Sequence, residues 1–202
     1  MCNVVTGTGP EAGEPLVSHP LVDHITFTGS VATGQRVMRS AADNVTRLVL
    51  ELGGKSPVVV MADCDLDAAT DGIVGAIYEN AGQICSAGSR VVVEATIHDE
   101  LLERLCRRAE ALTIGHGLTD PQLGPVNSAQ QLARIAGFVG RARARGVEVA
   151  TGGEATTDPQ TGAGWFYRPT IALCPDVGDE LVQEEIFGPV LAMQKADDAE
   201  HA

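Results

Sequence analysis

Residues 22–54, VDHITFTGSVATGQRVMRSAADNVTRLVLELGG, decide the fold class. The β-rich run Val22–Thr28 ends at Gly29, residues 31–42 have helical character, and Arg47–Leu50 returns to a strand-like pattern. A strand, a helix and a second strand in this order predict a βαβ unit with parallel strands. Two adjacent glycines then interrupt the pattern, and we interpret Glu51–Gly54 as a hinge between two sheet systems.

The alternation of strands and helices continues to the end of the chain. Further strands are predicted within residues 56–65, 90–97, 147–151, 166–173 and 190–194, and helices at residues 66–80, 98–114 and 129–145. Asp63 or Asp65 is a suitable N-cap for the first of these helices. Residues 152–165 are a loop by composition. The pattern predicts an α/β fold with a largely parallel sheet.

Composition limits the classes of partner. With 202 residues, 44% of them apolar, the chain can bury a core in one large or two small domains. The net charge of −13 argues against nucleic-acid binding and against anionic lipid, and it favours small or neutral partners. No apolar run is long enough to cross a bilayer, and no secretory signal is readable at the start.

The cysteine pattern indicates a reducing compartment. The five cysteines are an odd number with irregular spacing, and none forms a C-x-x-C pair. The histidines are scattered as well, with no ligand spacing to a cysteine. We therefore predict a cytoplasmic protein with no disulfide framework and no structural metal.

The motif FTGSVATG, residues 27–34, is a candidate phosphate site. A glycine where a strand ends and a helix begins lets the backbone approach a phosphate, and Ser30 adds a hydroxyl at the positive end of the helix. The alternative is a turn glycine followed by a serine N-cap. The G-x-G-x-x-G fingerprint is absent, because four residues separate Gly29 from Gly34.

Glu51 in LELGGKSP is a candidate general base. Burial between its leucine neighbours would raise its pKa and suit it to proton transfer near neutral pH. The alternative is a solvated glutamate, which is the common state, and Lys55 could be its ion-pair partner.

Cys85 lies among small residues in ENAGQICSAGSR, residues 79–90. A free thiol with a pKa near 8.5 is only about 3% thiolate at pH 7, so a nucleophilic cysteine needs help from its surroundings. Small neighbours leave room for a substrate, and nearby backbone N–H groups could stabilise an anion. An inert buried cysteine is the alternative, and it is our interpretation of Cys64, Cys106 and Cys174.

The segment QEEIFGPV, residues 183–190, is a candidate cofactor contact. The carboxylate of Glu185 could accept hydrogen bonds from ribose hydroxyls, and the phenyl ring of Phe187 could pack against a flat ring of the cofactor. The alternative is an exposed pair of acids next to a phenylalanine of the core.

Taken together, the four motifs resemble those of the aldehyde dehydrogenase superfamily, in the same order and over essentially the whole chain. The separation of 34 residues between Glu51 and Cys85 is also similar. The resemblance implies an aldehyde dehydrogenase-like α/β fold. Residues 1–53 would be the C-terminal part of a cofactor-binding domain, a remnant of a Rossmann-type parallel sheet, and residues 54–202 an incomplete catalytic domain.

The resemblance also implies a reaction. Cys85 would attack an aldehyde to give a thiohemiacetal and then a thioester, and Glu51 would activate the water that releases a carboxylic acid. NAD or NADP would accept the hydride. The implied cofactor contacts are Gly29, Ser30 and Gly34 at the pyrophosphate, the backbone of Leu52 near the nicotinamide, and Glu185 with Phe187 at a ribose.

Members of this family are more than twice as long, and the chain looks like their central part. We therefore expect little or no dehydrogenase turnover from the chain alone, a small-molecule aldehyde as substrate, and homo-oligomers in the full-length family. Two other functions fit the residues. One is a cysteine hydrolase or acyltransferase that uses Cys85. The other is a non-catalytic fragment that associates with a full-length relative through unpaired sheet edges.

Overall fold

The computed structural model describes residues 1–202, and the chain forms two compact units, Met1–Gly53 and Gly54–Ala202. The division falls between the two adjacent glycines. The interpretation of the units as a cofactor-binding and a catalytic domain, and of the glycines as a hinge, stays a prediction.

The first unit contains the predicted βαβ arrangement. Strands β1 and β2 are parallel and in register from His24 opposite Arg47 to Gly29 opposite Leu52. A small core of Ile25, Val37 and Ala41 lies between the strands and the helix. In chain order the elements are a π-helical turn (Gly9–Gly13), α1 (Glu14–Val17), β1 (His24–Gly29), α2 (Val31–Ala42) and β2 (Arg47–Leu52).

The second unit is built on a five-stranded sheet with the order β3-β4-β9-β8-β5. Neighbouring strands are parallel except for β5, which runs antiparallel to β8. A separate pair, β6 and β7, forms a short antiparallel ribbon. The strands are β3 (Pro57–Val60), β4 (Arg90–Glu94), β5 (Glu148–Thr151), β6 (Ala155–Thr156), β7 (Phe166–Tyr167), β8 (Thr170–Leu173) and β9 (Val190–Ala196).

Four helices and two 3₁₀ turns complete the second unit: α3 (Leu66–Tyr78), α4 (His98–Glu110), α5 (Ala129–Ala144), α6 (Glu180–Gln183), and the turns Glu79–Gly82 and Gly117–Thr119. Asp65 is the N-cap of α3, because its carboxylate accepts the N–H groups of Asp67 and Ala68. Ser128 caps α5 in the same way. No helix has both the length and the apolarity needed to cross a bilayer.

Both faces of the larger sheet are covered. In β9, Leu191 and Met193 pack into the core shared with α3 and α4, whereas Val190 and Ala192 pack into the core shared with α5 and α6. Successive side chains of a strand point to opposite faces, so a continuous apolar run is what a strand covered on both faces requires. This explains why β9 reads VLAM without a polar interruption.

The element boundaries differ from the predictions at a few points. Helix α3 ends at Tyr78 instead of Asn80, because Glu79 leaves the helical region with a ψ angle of 135° and Asn80 and Ala81 follow with positive φ angles of 49° and 54°. The predicted extended segment 166–173 is two strands separated by Arg168 and Pro169, and the predicted loop 152–165 contains β6. The short helices α1 and α6 were not predicted, since four residues are too few to show a helical period.

Candidate active site

Cys85 lies on an exposed β-turn between α3 and β4. The turn spans residues Ile84 to Ala87 and is closed by the N–H of Ala87, which donates to the carbonyl oxygen of Ile84 at 3.1 Å. Cys85 is the second residue of this turn, and it is exposed. The N–H groups of Cys85 and Ser86 donate no hydrogen bond within the chain. The thiol therefore faces solvent beside two available donors.

The small residues after Cys85 let the loop pack closely. A Cβ atom at Gly88 would lie 2.9 Å from the Cβ of Ala76 in α3 and 3.0 Å from Cγ2 of Val58 in β3. The N–H of Gly88 donates to the carbonyl oxygen of Ala76 at 3.0 Å. The loop is thus anchored on both elements immediately after the turn that carries the thiol.

The other cysteines differ in their access to solvent. Cys174 is buried at the end of β8, and burial raises its pKa to about 12. Cys106 is half-buried, and burial raises its pKa as well. Cys64 is half-buried, whereas Cys2 is exposed near the chain start. Cys85 is thus the exposed cysteine of the second unit.

The turn of residues 185–187 lies between α6 and β9. Glu185 and Phe187 are half-buried, and Phe187 has a φ angle of 58°. The side chain of Gln131 holds the turn, because its Nε2 donates to the carbonyl oxygens of Ile186 and Phe187 at 2.9 Å each. Arg134 donates to the carbonyl oxygen of Glu185 at 2.8 Å. The sequence predicted the helix of Gln131 and Arg134 but offered no sign of these distant partners.

The two loops of the second unit meet at a pair of glycines. A Cβ atom at Gly82 would overlap the carbonyl oxygen of Gly188, and Gly82 has a φ angle of 70°. The first loop leads into β4 and the second into β9, which are neighbours in the sheet. The structure therefore brings the loop of Cys85 and the turn of Glu185 and Phe187 together at the amino ends of two adjacent parallel strands.

In the first unit the candidate residues meet at the carboxyl ends of β1 and β2. Thr28 lies opposite Glu51, and Gly29 lies opposite Leu52. Ser30 caps α2, with its Oγ accepting the N–H of Thr33 at 3.2 Å. The glycine turn and the carboxylate are therefore at the same edge of the two-stranded sheet.

Glu51 is exposed, so the expected burial between leucines is wrong. The cause is the alternation of a strand: Leu50 and Leu52 are half-buried, whereas Glu51 points to the opposite face. Lys55, in the second unit, was considered as an ion-pair partner. Its Nζ atom is instead buried without a hydrogen-bond partner, and burial, with a further contribution from the charge of Arg90, lowers its pKa to about 8.

The amino end of α2 fits an anionic group. The first N–H groups of a helix lack intrahelical partners, and the helix dipole favours negative charge there. Gly34 is buried within α2, and a Cβ atom there would lie 2.7 Å from Cδ2 of Leu52. Gly34 therefore lets α2 lie close to β2, while Ser30 acts as the N-cap and remains at the surface.

A cavity of about 650 Å³ lies elsewhere in the second unit. It is lined by residues at the carboxyl ends of β8 and β9, among them Cys174 and Lys195, and by His98 and Arg145. None of the predicted site residues lines it. The cavity is at the opposite edge of the sheet from the loop of Cys85, so we do not assign it to the candidate site.

The sequence matches the profile of the Aldehyde dehydrogenase family over residues 1–202. The chain belongs to the aldehyde dehydrogenase family. Among curated relatives, it is 41% identical over 195 residues to a betaine aldehyde dehydrogenase of Bacillus subtilis, covering 96% of the chain and 40% of that protein. It is also 41% identical over 201 residues to the peroxisomal aminoaldehyde dehydrogenase 2 of Pisum sativum, covering 99% of the chain and 40% of that protein.

Solved structures of the family superimpose on nearly the whole chain. A betaine aldehyde dehydrogenase from Staphylococcus aureus in complex with NAD+ has a TM-score of 0.94 at 36% identity, covering 98% of this chain and 39% of that one. HpcC from Thermus thermophilus has a TM-score of 0.92 at 40% identity, covering 98% and 39% of the two chains. The chain thus spans about two fifths of the length of the curated relatives it matches.

Proposed function

We propose that the chain carries the nucleophile and the base of an NAD(P)-dependent oxidation of an aldehyde to a carboxylic acid. The observation that carries the proposal is the exposed turn at Cys85, where the thiol lies beside two N–H groups that donate to nothing else in the chain. Membership of the family supports the assignment. Because the chain covers only 40% of the length of these relatives, their activity is a proposal for this chain.

The chemistry assigned to the chain's own residues is covalent. The thiolate of Cys85 forms a C–S bond to the carbonyl carbon, and the N–H groups of Cys85 and Ser86 can donate to the oxyanion that results. Bound NAD(P) would supply the hydride acceptor. Glu51 would then take a proton from water as the water attacks the thioester carbon. Breaking the C–S bond releases the acid and restores the thiol on Cys85.

The residues proposed to hold the cofactor fall in both units. Gly29 and Ser30, at the amino end of α2, would contact the pyrophosphate, with Gly34 keeping the helix close to β2. The backbone of Leu52 would lie near the nicotinamide, and Glu185 with Phe187 would contact a ribose. Most of these contacts lie in residues 1–53, which we assign to cofactor binding, and we assign residues 54–202 to catalysis. The NAD+ complex of the relative from Staphylococcus aureus supports NAD(P) as the cofactor.

The proposed partners are a small-molecule aldehyde substrate and, in homo-oligomers of the full-length family, further copies of the same protein. Relatives are named for betaine aldehyde and for aminoaldehydes, so these two classes are the first substrates to test. We propose that the protein is cytoplasmic and that full-length members of its family form homo-oligomers. Relatives named as peroxisomal and chloroplastic show that the compartment varies within the family.

The test is an assay of the purified chain with NAD and NADP against a panel that includes betaine aldehyde, with formation of the reduced cofactor as the readout. Because we expect little or no repeated turnover from the chain alone, the signal sought is the small amount of reduced cofactor formed in a first turnover, and we expect Cys85→Ser to abolish it. Glu51→Gln is expected to leave formation of reduced cofactor in the first turnover unchanged and to slow release of the acid. A signal that survives Cys85→Ser would overturn the proposal, and Cys2→Ser is the matched control at the other exposed cysteine.

A second candidate function is association with a family member through strand edges. The sheet of the first unit has only two strands, so each leaves one edge unpaired, and Val49 in β2 is 44% exposed. Unpaired edges with exposed β-branched residues favour pairing with another chain. Size-exclusion chromatography with light scattering tests it: assemblies that grow with concentration support this function, and a monomer at every concentration contradicts it.

A further inference from the structure

The backbone immediately before Cys85 is strained. Asn80, Ala81 and Gly82 are three successive residues in the left-handed region, with φ angles of 49°, 54° and 70°. Residues other than glycine seldom adopt this conformation, and it persists only where the surroundings hold it in place. A loop in this state needs contacts that prevent it from relaxing.

The side chain of Gln83 supplies such contacts. Its Nε2 donates to the carbonyl oxygens of Asn80 at 3.1 Å and Pro125 at 3.3 Å, and its Oε1 accepts the N–H of Asn127 at 2.9 Å. The partners are two carbonyls and one N–H, so they fix which way the amide points. In return, Nδ2 of Asn80 donates to the carbonyl oxygen of Gln83 at 3.1 Å.

These hydrogen bonds connect segments that are far apart in the sequence. Pro125 and Asn127 lie 42 and 44 residues beyond Gln83, in the segment that leads into α5. Helix α5 in turn holds the turn of residues 185–187 through Gln131. Gln83 therefore fastens the loop of Cys85 to the same part of the fold that fixes the neighbouring candidate turn.

We propose that Gln83 is a positioning residue that holds the Cys85 turn in the geometry for attack on a carbonyl carbon. It lies two residues before Cys85 and acts through the backbone, without touching the reacting atoms. The inference rests on the proposed function, because it takes Cys85 as the nucleophile. Loss of the Gln83 amide would let residues 80–82 relax and would move the thiol relative to the N–H groups of Cys85 and Ser86.

The test compares two reactions of the same sulfur. Acylation by p-nitrophenyl acetate needs an aligned attack and donors to the oxyanion, whereas alkylation by iodoacetamide needs only an accessible thiolate. Both rate constants are measured at Cys85 by peptide mass spectrometry for the wild type and for Gln83→Met, which keeps the length of the side chain and removes its hydrogen bonds. We expect acylation to slow by roughly tenfold or more, as misplaced reactants do, with little change in alkylation.

Gln122→Met is the matched control. Gln122 also joins two backbone segments, with its Oε1 accepting from the N–H and the hydroxyl of Thr113 at 3.1 and 3.3 Å, and it makes no hydrogen bond to the Cys85 loop. We expect this variant to lose stability without losing acylation. Equal changes in acylation and alkylation, or no change, in Gln83→Met would overturn the positioning role and leave the proposed function intact. Absence of acylation at Cys85 in the wild type, or release of p-nitrophenol that is undiminished in Cys85→Ala, would overturn both.

Discussion

The two units place their candidate residues at opposite ends of parallel strands. In the first unit, Gly29 is the last residue of β1 and Glu51 the last but one of β2, at the carboxyl edge where α2 begins. In the second unit, Cys85 and the turn of Glu185 precede β4 and β9, at the amino edge. The carboxyl edge needs only a strand, a glycine and a helix to make an anion site. At the amino edge the strands begin, so no helix N-terminus follows a strand there. The loops at that edge depend instead on side chains from distant segments.

Substituting a glycine at the contact between the two loops should give the largest effect. In Gly82→Ala, a Cβ atom would overlap the backbone of Gly188 at a positive φ angle, and backbone atoms cannot step aside. We expect a loss of about 3 kcal/mol in the free energy of unfolding of the second unit, from strain and overpacking together. Denaturant unfolding measures it.

Gly140→Ala is the matched control for this variant. Gly140 is an exposed residue of α5 with nothing within 4 Å of an added Cβ atom. Alanine should therefore stabilise the helix by about 1 kcal/mol. Equal effects of the two substitutions would contradict the proposed contact between the loops.

The corresponding glycine of the first unit should be more tolerant. A Cβ atom in Gly34→Ala would meet only the end of the Leu52 side chain, which can move. The helix propensity of alanine offsets part of the overlap, so we expect a net loss of about 1 kcal/mol. Hydrogen exchange of β1 and β2 reports it. In a double-mutant cycle with Leu52→Ala the overlap should disappear, and strictly additive effects would argue against this packing.

The loop around Asp158 tests whether side chains from distant segments also hold other loops of the second unit. The measured property is its sensitivity to acid. Buried Asp158 accepts the N–H groups of Thr161, Gln160 and, 42 residues away, His116. The hydrogen bond from the Thr161 backbone, followed by that from His116, holds its pKa below the usual value. This contribution to stability is therefore complete above the unfolded pKa of about 4, and it is lost as the pH falls through the lower folded value.

Asp158→Asn should remove that dependence. We expect its free energy of unfolding to be lower than that of the wild type at neutral pH, with the difference shrinking as the pH falls below about 4. Chemical unfolding at a series of acidic pH values measures the slope. A variant whose slope matches that of the wild type would show that this carboxylate is not what ties the loop to residue 116.

The comparison also explains which parts were readable in the sequence. The βαβ unit follows from local periodicity and from one glycine, and helix α3 follows from its Asp65 cap. The exposure of Glu51 was readable too, because Leu48, Leu50 and Leu52 alternate with Arg47, Val49 and Glu51 along β2. The error was to judge burial from adjacent residues, which point to the opposite face of a strand.

The contacts that fix the Cys85 loop could not be read in this way. Gln83 lies inside a motif that the sequence singles out, but its partners at residues 125 and 127 follow an intervening strand and helix. The same holds for Gln131 and the turn of residues 185–187. Side-chain to backbone hydrogen bonds of this range carry no local pattern, so sequence periodicity does not reveal them.

The most direct test of the central claim is the location of an acyl group on the chain. The Glu51→Gln variant, in which hydrolysis should be slow, is treated briefly with an activated ester of a small carboxylic acid and mapped by peptide mass spectrometry. The account predicts one acyl group, on the sulfur of Cys85, with buried Cys174 unmodified. An acyl group shared among several cysteines, or found on Cys2 with Cys85 free, would show that the exposed turn does not make a nucleophile.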